Sequence, residues 1–244
     1  MTATITRTSG QPKLHWPAAI ALHLFPGAAL LAFYLIAAPA LDRAGLPPVW
    51  GLLGGIFLVT VPLLLGTLVR ARRREASGQS MSAFLGLGRP SFRVAVVALA
   101  VSVLASGAVA WAEPAVRHAA FGWLPPWWTA GTGALSTVGP VVRVTTIVLW
   151  TAGAVVVGPI VEELYFRGWL LPRMPGGRGV AWVSGSALFA VYHLWQPYAW
   201  LTVVAVTLPL AWARSKSGTT ATILVHCAMN ALAFAALLAG GLQR

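Results

Sequence analysis

Seven long apolar runs, separated by short segments rich in arginine, proline or glycine, constrain this chain more than any other feature. A hydrocarbon core about 30 Å thick is crossed by about 20 apolar residues in a helix. Helices that are apolar all round have no polar face for water, which excludes a soluble fold. The sequence therefore predicts an all-α polytopic membrane helix bundle of about seven to eight transmembrane helices. The predicted spans are 17–38, 49–69, 93–112, 141–171, 179–195, 198–213 and 219–240.

The charges support a single transmembrane domain over residues 1–244. Only 9% of the residues are charged, against about 25% in soluble domains. The net charge of +12 comes from basic residues between the apolar runs, where they set topology and meet anionic headgroups. We therefore expect contact with the lipid bilayer and no nucleic-acid partner. The lone cysteine, Cys227, excludes an intrachain disulfide.

The distribution of basic residues also predicts the orientation. With seven spans and the N-terminus inside, twelve of them fall on the cytoplasmic side and four outside, which is a strong positive-inside bias. The first apolar run is too long for a signal peptide and is predicted to be retained. Residues 113–140 carry three tryptophans and two adjacent prolines, which indicate an interfacial loop or short surface helix, although an eighth hydrophobic element there is left open. We expect an integral protein of a bacterial plasma membrane.

The segment 158–168, "GPIVEELYFRG", places two of the chain's five acidic residues side by side within a predicted span. Ionisable residues inside spans are costly and mark functional sites. Glu163 and Arg167 are four residues apart, a spacing that predicts an ion pair positioning the helix. Glu162 lies about 100° around the helix without such a partner. It is therefore the carboxylate predicted to act as general base, the alternative being a protonated structural glutamate.

Further polar side chains lie inside the fifth and seventh spans. They are His193, with Phe189 one turn before it, and His226, with Asn230 one turn after it. Helical rise places Glu162, His193 and His226 within a band about 10 Å deep. Pro159 is predicted to bend the fourth helix and free a backbone carbonyl. His23, in the first span, could line the same cavity, but a hydrogen-bonded or interfacial histidine is favoured there.

Three motifs carry a resemblance to a known family. "EELYFR" resembles the EExxxR motif of the CAAX protease and bacteriocin-processing family (CPBP, also called Abi), "FAVYH" its FxxxH motif, and "HCAMN" its HxxxN motif. The resemblance covers about residues 141–240, which are predicted to form the catalytic core. It implies a helical bundle whose active site opens toward the cytoplasmic leaflet.

The resemblance also implies roles for these residues. Glu162 and His193 would activate a water, and His226 and Asn230 would stabilise the oxyanion. Glu163, Arg167 and Phe189 would support the site. The expected substrate is a peptide or membrane protein.

Two questions stay open at this point. A metal-free site is favoured, but Glu162, His193 and His226 would be the ligands if zinc or another divalent metal were bound. An immunity or other non-enzymatic interaction role of the same family is the main alternative function. A proton-coupled transporter is the other, but it predicts inverted repeats or paired broken helices, and the sequence has neither.

Overall fold

The computed structural model describes residues 12–75, 78–129, 135 and 138–241, and these residues form helices and connecting turns without a strand. Apart from short 3₁₀ turns, the described part of the chain has eight helices. They are α1 (Trp16–Arg43), α2 (Val49–Glu75), α3 (Met81–Leu85), α4 (Phe92–Ala110), α5 (Glu113–Phe121), α6 (Pro140–Arg173), α7 (Arg178–Tyr192) and α8 (Trp200–Gly241). The predicted all-α class is confirmed.

Five helical segments are long and apolar enough to cross a membrane: α1, α2, α4, α6 and α8 together with its preceding turn. The last of these contains two of the predicted spans. The remaining predicted span is α7, whose 15 residues are shorter than a full crossing. The seven predicted spans therefore all correspond to helices or arms of helices.

Two predicted boundaries are wrong. The segment 214–217 was predicted to connect two spans, but it is helical and continues the first arm of α8. The break is confined to Gly218, whose φ of 78° and ψ of −179° interrupt the helix. A side chain there would be strained by this φ and would lie 2.8 Å from the Gly86 carbonyl oxygen. Ala98 of α4 shares one hydrophobic cluster with Leu210 before the break and Val225 after it, so the second arm turns back beside the first.

The other error is the end of α7, predicted at residue 195 and found at Tyr192. Pro197 follows shortly, and the residue before a proline is kept out of the helical region. Gln196 accordingly has φ −140° and ψ 60°. The early end leaves His193 as the capping residue of the helix.

The long helices contain three π-helical stretches, at Ile56–Thr60, Thr151–Val157 and Glu163–Leu170. Each stretch ends two residues before a proline: Pro62, Pro159 or Pro172. Proline lacks the N–H and crowds the carbonyl one turn earlier, which favours a widened turn. Two of the stretches flank the glutamate pair of α6.

One end of the bundle gathers three of the basic residues that were predicted to be cytoplasmic, Lys13, Arg173 and Arg214. Lys13 donates to the Pro172 carbonyl (3.1 Å), and Arg173 pairs with Glu75 at the end of α2 (2.6 Å). Arg214 donates to the Arg167 carbonyl (3.0 Å). These groups thus lie on a common side, whereas its orientation toward the cytoplasm stays a prediction.

The segment after α4 forms the opposite end. Its helix α5 has nine residues and is too short to span. Trp127 and Trp128 pack edge-on against Tyr34 of α1, and Trp128 donates to the Trp195 carbonyl beyond α7 (2.8 Å). The described part of 113–140 therefore holds a surface helix and an aromatic contact, while 130–134 and 136–137 lie outside the described residues.

Candidate active site

Both glutamates of α6 are buried at the centre of the bundle, where Glu162 is 8% exposed and Glu163 fully buried. They lie at the junction of the α-helical turn Gly158–Glu162 and the π-helical stretch that follows. Tyr165, Phe166 and Trp169 from the same stretch belong to the largest hydrophobic cluster. The glutamates are therefore held by the best-packed part of the molecule.

Glu163 has two partners, of which the sequence predicted one. Its Oε1 lies 3.1 Å from Nη1 of Arg167, as the spacing of four residues predicted. The same oxygen lies 2.9 Å from Nδ1 of His226, on the second arm of α8. An ionised carboxylate accepts, so the imidazole donates to it through Nδ1. Glu163 thereby fixes the ring of His226 as well as the guanidinium of Arg167.

Glu162 points into the same cluster rather than away from it. The hydroxyl of Tyr192 donates to its Oε1 (3.0 Å), and its Oε2 lies 3.9 Å from Nε2 of His226. The imidazole of His226 therefore bridges the two carboxylates, with Nδ1 on Glu163 and Nε2 toward Glu162. The sequence predicted a structural role for Glu163 and a chemical role for Glu162. In the structure, both carboxylates face His226, so the two roles are not fully separate.

His193 lies at the end of α7, next to Tyr192 in sequence. Its Nδ1 donates to the Phe189 carbonyl (2.9 Å), which leaves Nε2 with a free lone pair in the neutral ring. Trp195 packs against the imidazole with ring centroids 4.8 Å apart. Within the described residues, no hydrogen bond or ion pair joins His193 directly to Glu162. The structure brings it near the cluster through Tyr192 and Phe189 instead.

Phe189 is the packing centre of the site. Its ring faces His193 at 4.8 Å and His226 at 6.0 Å between centroids. The guanidinium carbon of Arg167 lies 3.9 Å from its centroid, within range of a cation–π interaction. The buried ring of Phe189 therefore packs against both histidines and the arginine and sets the distances between them.

The side chain of Asn230 replaces the backbone hydrogen bond that Pro159 cannot make. In the preceding π-helical stretch, the Gly158 N–H bonds to the Gly153 carbonyl. The next residue is Pro159, which has no N–H for the Ala154 carbonyl. The side-chain amide of Asn230 donates to that carbonyl instead (2.7 Å). The freed carbonyl that the sequence predicted is thus capped by the Asn230 amide.

The metal alternative fits poorly. Among the residues that the structure describes, no three His, Cys, Asp or Glu side chains are grouped so that they could hold a metal ion. Two of the three predicted ligands, Glu162 and His226, do face each other, but the imidazole of His193 does not complete a set with them. A zinc site needs at least three protein ligands, and these residues do not supply such a set.

Two other residues clarify the limits of the site. His23 donates through Nδ1 to the Ala19 carbonyl (2.8 Å) and packs on Phe166, so of the two favoured alternatives, hydrogen-bonded or interfacial, it is the hydrogen-bonded one. Tyr192 was missed in the sequence, although it directly precedes His193 in "FAVYH". Its fully buried hydroxyl makes the only side-chain hydrogen bond to Glu162 within the described residues. The sequence signal that could have identified Tyr192 is a tyrosine inside a predicted span, directly before a motif histidine.

Comparison with known protein families gave a match to part of the chain. The model described as Rce1-like, type II CAAX prenyl endopeptidase, matches residues 144–232. The match confirms the family resemblance carried by the three motifs, and it includes all of them while leaving α1 to α5 outside. No curated protein and no solved structure gave a significant match. With its long apolar helices, the chain is an integral membrane protein.

Proposed function

We propose that this chain is an intramembrane endopeptidase that hydrolyses a peptide bond with a water activated by Glu162 and His193. The observation that carries the proposal is the buried cluster in which the imidazole of His226 lies between the carboxylates of Glu162 and Glu163. The name of the matching family, a prenyl endopeptidase, supports the same reaction class. The substrate would be a peptide or a membrane protein.

The reaction needs a base, an oxyanion partner and a proton for the leaving group. Glu162 would take a proton from water as the hydroxide forms a bond to the scissile carbonyl carbon, while the free Nε2 of His193 orients that water. The carbonyl π electrons move onto oxygen. As the tetrahedral intermediate collapses and the C–N bond breaks, Glu162 would return the proton to the amine.

His226 and Asn230 would stabilise the oxyanion. When both imidazole nitrogens carry protons, Nδ1 donates to Glu163 and Nε2 is free to donate to the developing charge. The Asn230 amide has one N–H on the Ala154 carbonyl and offers the other.

We propose further that no metal takes part, and that the N-terminus lies in the cytoplasm of a bacterium with cleavage near that side. The poor grouping of three ligands supports the first statement. The common end occupied by Lys13, Arg173 and Arg214 supports the second, because basic residues concentrate at the inner surface.

The test uses protein reconstituted in bilayers and a peptide library analysed by mass spectrometry. The library has matched farnesylated and unmodified peptides, so that cleavage does not depend on guessing the prenyl group. We expect Glu162→Ala and His193→Ala to abolish cleavage while unfolding like the wild type. Full-rate cleavage by both variants would refute the mechanism. Activity should survive prolonged chelation, and its loss with recovery on added zinc would refute the metal-free site.

A further inference from the structure

The last turns of α2 present three arginines on one face. Arg70, Arg73 and Arg74 line a surface cleft of about 390 Å³ together with Gly66 and Val69. The spacing of these five positions is that of a single helical stripe. The cleft is thus apolar at one end and cationic at the other.

The three guanidinium groups are without partners in the part of the chain that the structure describes. Their neighbours are engaged: Arg72 donates to the Gln79 carbonyl (2.8 Å and 3.2 Å), and Glu75 is held by Arg173 (2.6 Å). Glu75 is the nearest carboxylate in sequence, and its Oε2 is already bound. The charge of the cleft is therefore not neutralised by the residues that the structure describes.

The position of the cleft along α2 matches the edge of a membrane. From Val49 to Arg70 the helix rises about 32 Å, which is the thickness of a hydrocarbon core of about 30 Å. The arginines therefore begin where the helix leaves the core. Gly66 lies about 6 Å deeper, and a Cβ added there would meet no atom within 4 Å, so the apolar end of the cleft is open.

We propose that this cleft binds one anionic phospholipid. The headgroup phosphate would lie among Arg70, Arg73 and Arg74, since guanidinium groups bind phosphate oxygens in a bidentate fashion. An acyl chain would run along Gly66 and Val69. Basic clefts at the membrane surface recognise anionic headgroups, and the net positive charge selects these lipids over zwitterionic ones.

A simpler explanation makes a different prediction. Arginines in the last turn of a helix interact favourably with its dipole and need no ligand, and any basic surface attracts anionic lipid. In that case all exposed arginines at this end of the bundle would contribute equally. Arg89, Arg93 and Arg178 are exposed at the same end and outside the cleft, which makes them a matched control.

The experiment measures lipid binding to the full-length protein in detergent by native mass spectrometry. The probes are dioleoyl-phosphatidylglycerol, dioleoyl-phosphatidylcholine and inorganic phosphate. We expect one tightly bound phosphatidylglycerol in the wild type, and an affinity lowered on the order of 100-fold in Arg70→Gln/Arg73→Gln/Arg74→Gln. Arg89→Gln/Arg93→Gln/Arg178→Gln should bind like the wild type, and phosphatidylcholine should bind much more weakly.

A second variant keeps all charges and tests the apolar end. Gly66→Leu fills open space and should fold, and we expect it to weaken phosphatidylglycerol binding about tenfold because the added side chain occupies the space of the acyl chain. Wild-type binding by this variant would overturn the acyl part of the site. Equal losses in the two triple variants, or displacement of the lipid by millimolar inorganic phosphate, would overturn the lipid site itself.

Discussion

Two glutamate–arginine ion pairs hold α6, and they differ in almost every respect. Glu163 and Arg167 lie within one helix and are both buried, and Glu163 also contacts His226. Glu75 and Arg173 join the ends of α2 and α6, and the side chain of Glu75 is 32% exposed. The first pair sits in the bundle centre, the second at the end where the basic residues gather.

The difference shows that a glutamate–arginine ion pair can have two roles, depending on its surroundings. At the helix ends, the pair is partly solvated and ties two segments that are distant in sequence, so it contributes to stability alone. In the centre, both side chains of the pair are buried, and an unpaired charge there is expensive. The central pair therefore has a structural duty, but its carboxylate also orients the imidazole that faces Glu162.

Within the two ion pairs, the largest expected effect follows from neutralising the central carboxylate, Glu163. Glu163→Gln removes the acceptor of His226 Nδ1 and leaves Arg167 buried without its partner. We expect cleavage to fall about 10³- to 10⁴-fold, as when a histidine loses its orienting carboxylate, and stability to fall by about 3–5 kcal/mol. The measurements are cleavage rate and thermal unfolding in bilayers. A variant that keeps wild-type activity would show that Glu163 does not orient His226.

The two duties of Glu163 can be separated by also removing the arginine. In Glu163→Gln/Arg167→Met, no buried charge is left unpaired, and apolar replacements of such pairs are often neutral. We expect this double variant to regain most of the lost unfolding free energy but none of the activity. If activity returned with stability, the first effect would be one of folding only.

An intermediate effect is expected at the neutral partner of Glu162. Tyr192→Phe removes the hydroxyl that donates to Oε1 and leaves the aromatic packing intact. A hydrogen bond to a charged group contributes about 1.5–3 kcal/mol, so kcat should fall at least tenfold. The value of KM should hardly change, because the hydroxyl binds Glu162 and not the substrate. A change in KM alone would contradict this positioning role.

The smallest effect on catalysis is expected at the peripheral pair. Glu75→Gln makes the same chemical change as Glu163→Gln, but in partly solvated surroundings. We expect a loss of about 1–3 kcal/mol in unfolding free energy and a cleavage rate within about threefold of the wild type. A rate as low as that of Glu163→Gln would show that the helix ends control the site and would remove the contrast between the two pairs.

Sequence reasoning predicted what depends on local spacing. The Glu163–Arg167 pair follows from a four-residue separation, and the freed carbonyl follows from Pro159. The spans follow from hydropathy alone. Each depends on a single helix, so neighbouring elements are not needed for the prediction.

Contacts between helices could not be predicted in the same way. The prediction that Glu162 and Glu163 lie about 100° apart assumed a regular α-helix. In the structure, an α-helical turn ends at Glu162 and a π-helical stretch begins at Glu163. The bond between Glu163 and His226 and that between Tyr192 and Glu162 depend on how α6, α7 and α8 pack. The regular position of a proline two residues after each π-helical stretch is a signal that sequence reasoning could use.

The central claim is that the carboxylate of Glu162 takes the proton from water. The most direct test compares cleavage by Glu162→Gln with that by Glu75→Gln in the same bilayers, because both replace one carboxylate by an amide of equal size. The account predicts a loss of at least about 10³-fold for Glu162→Gln, with unfolding unchanged, and nearly full activity for Glu75→Gln. Cleavage by folded Glu162→Gln at the wild-type rate would contradict it.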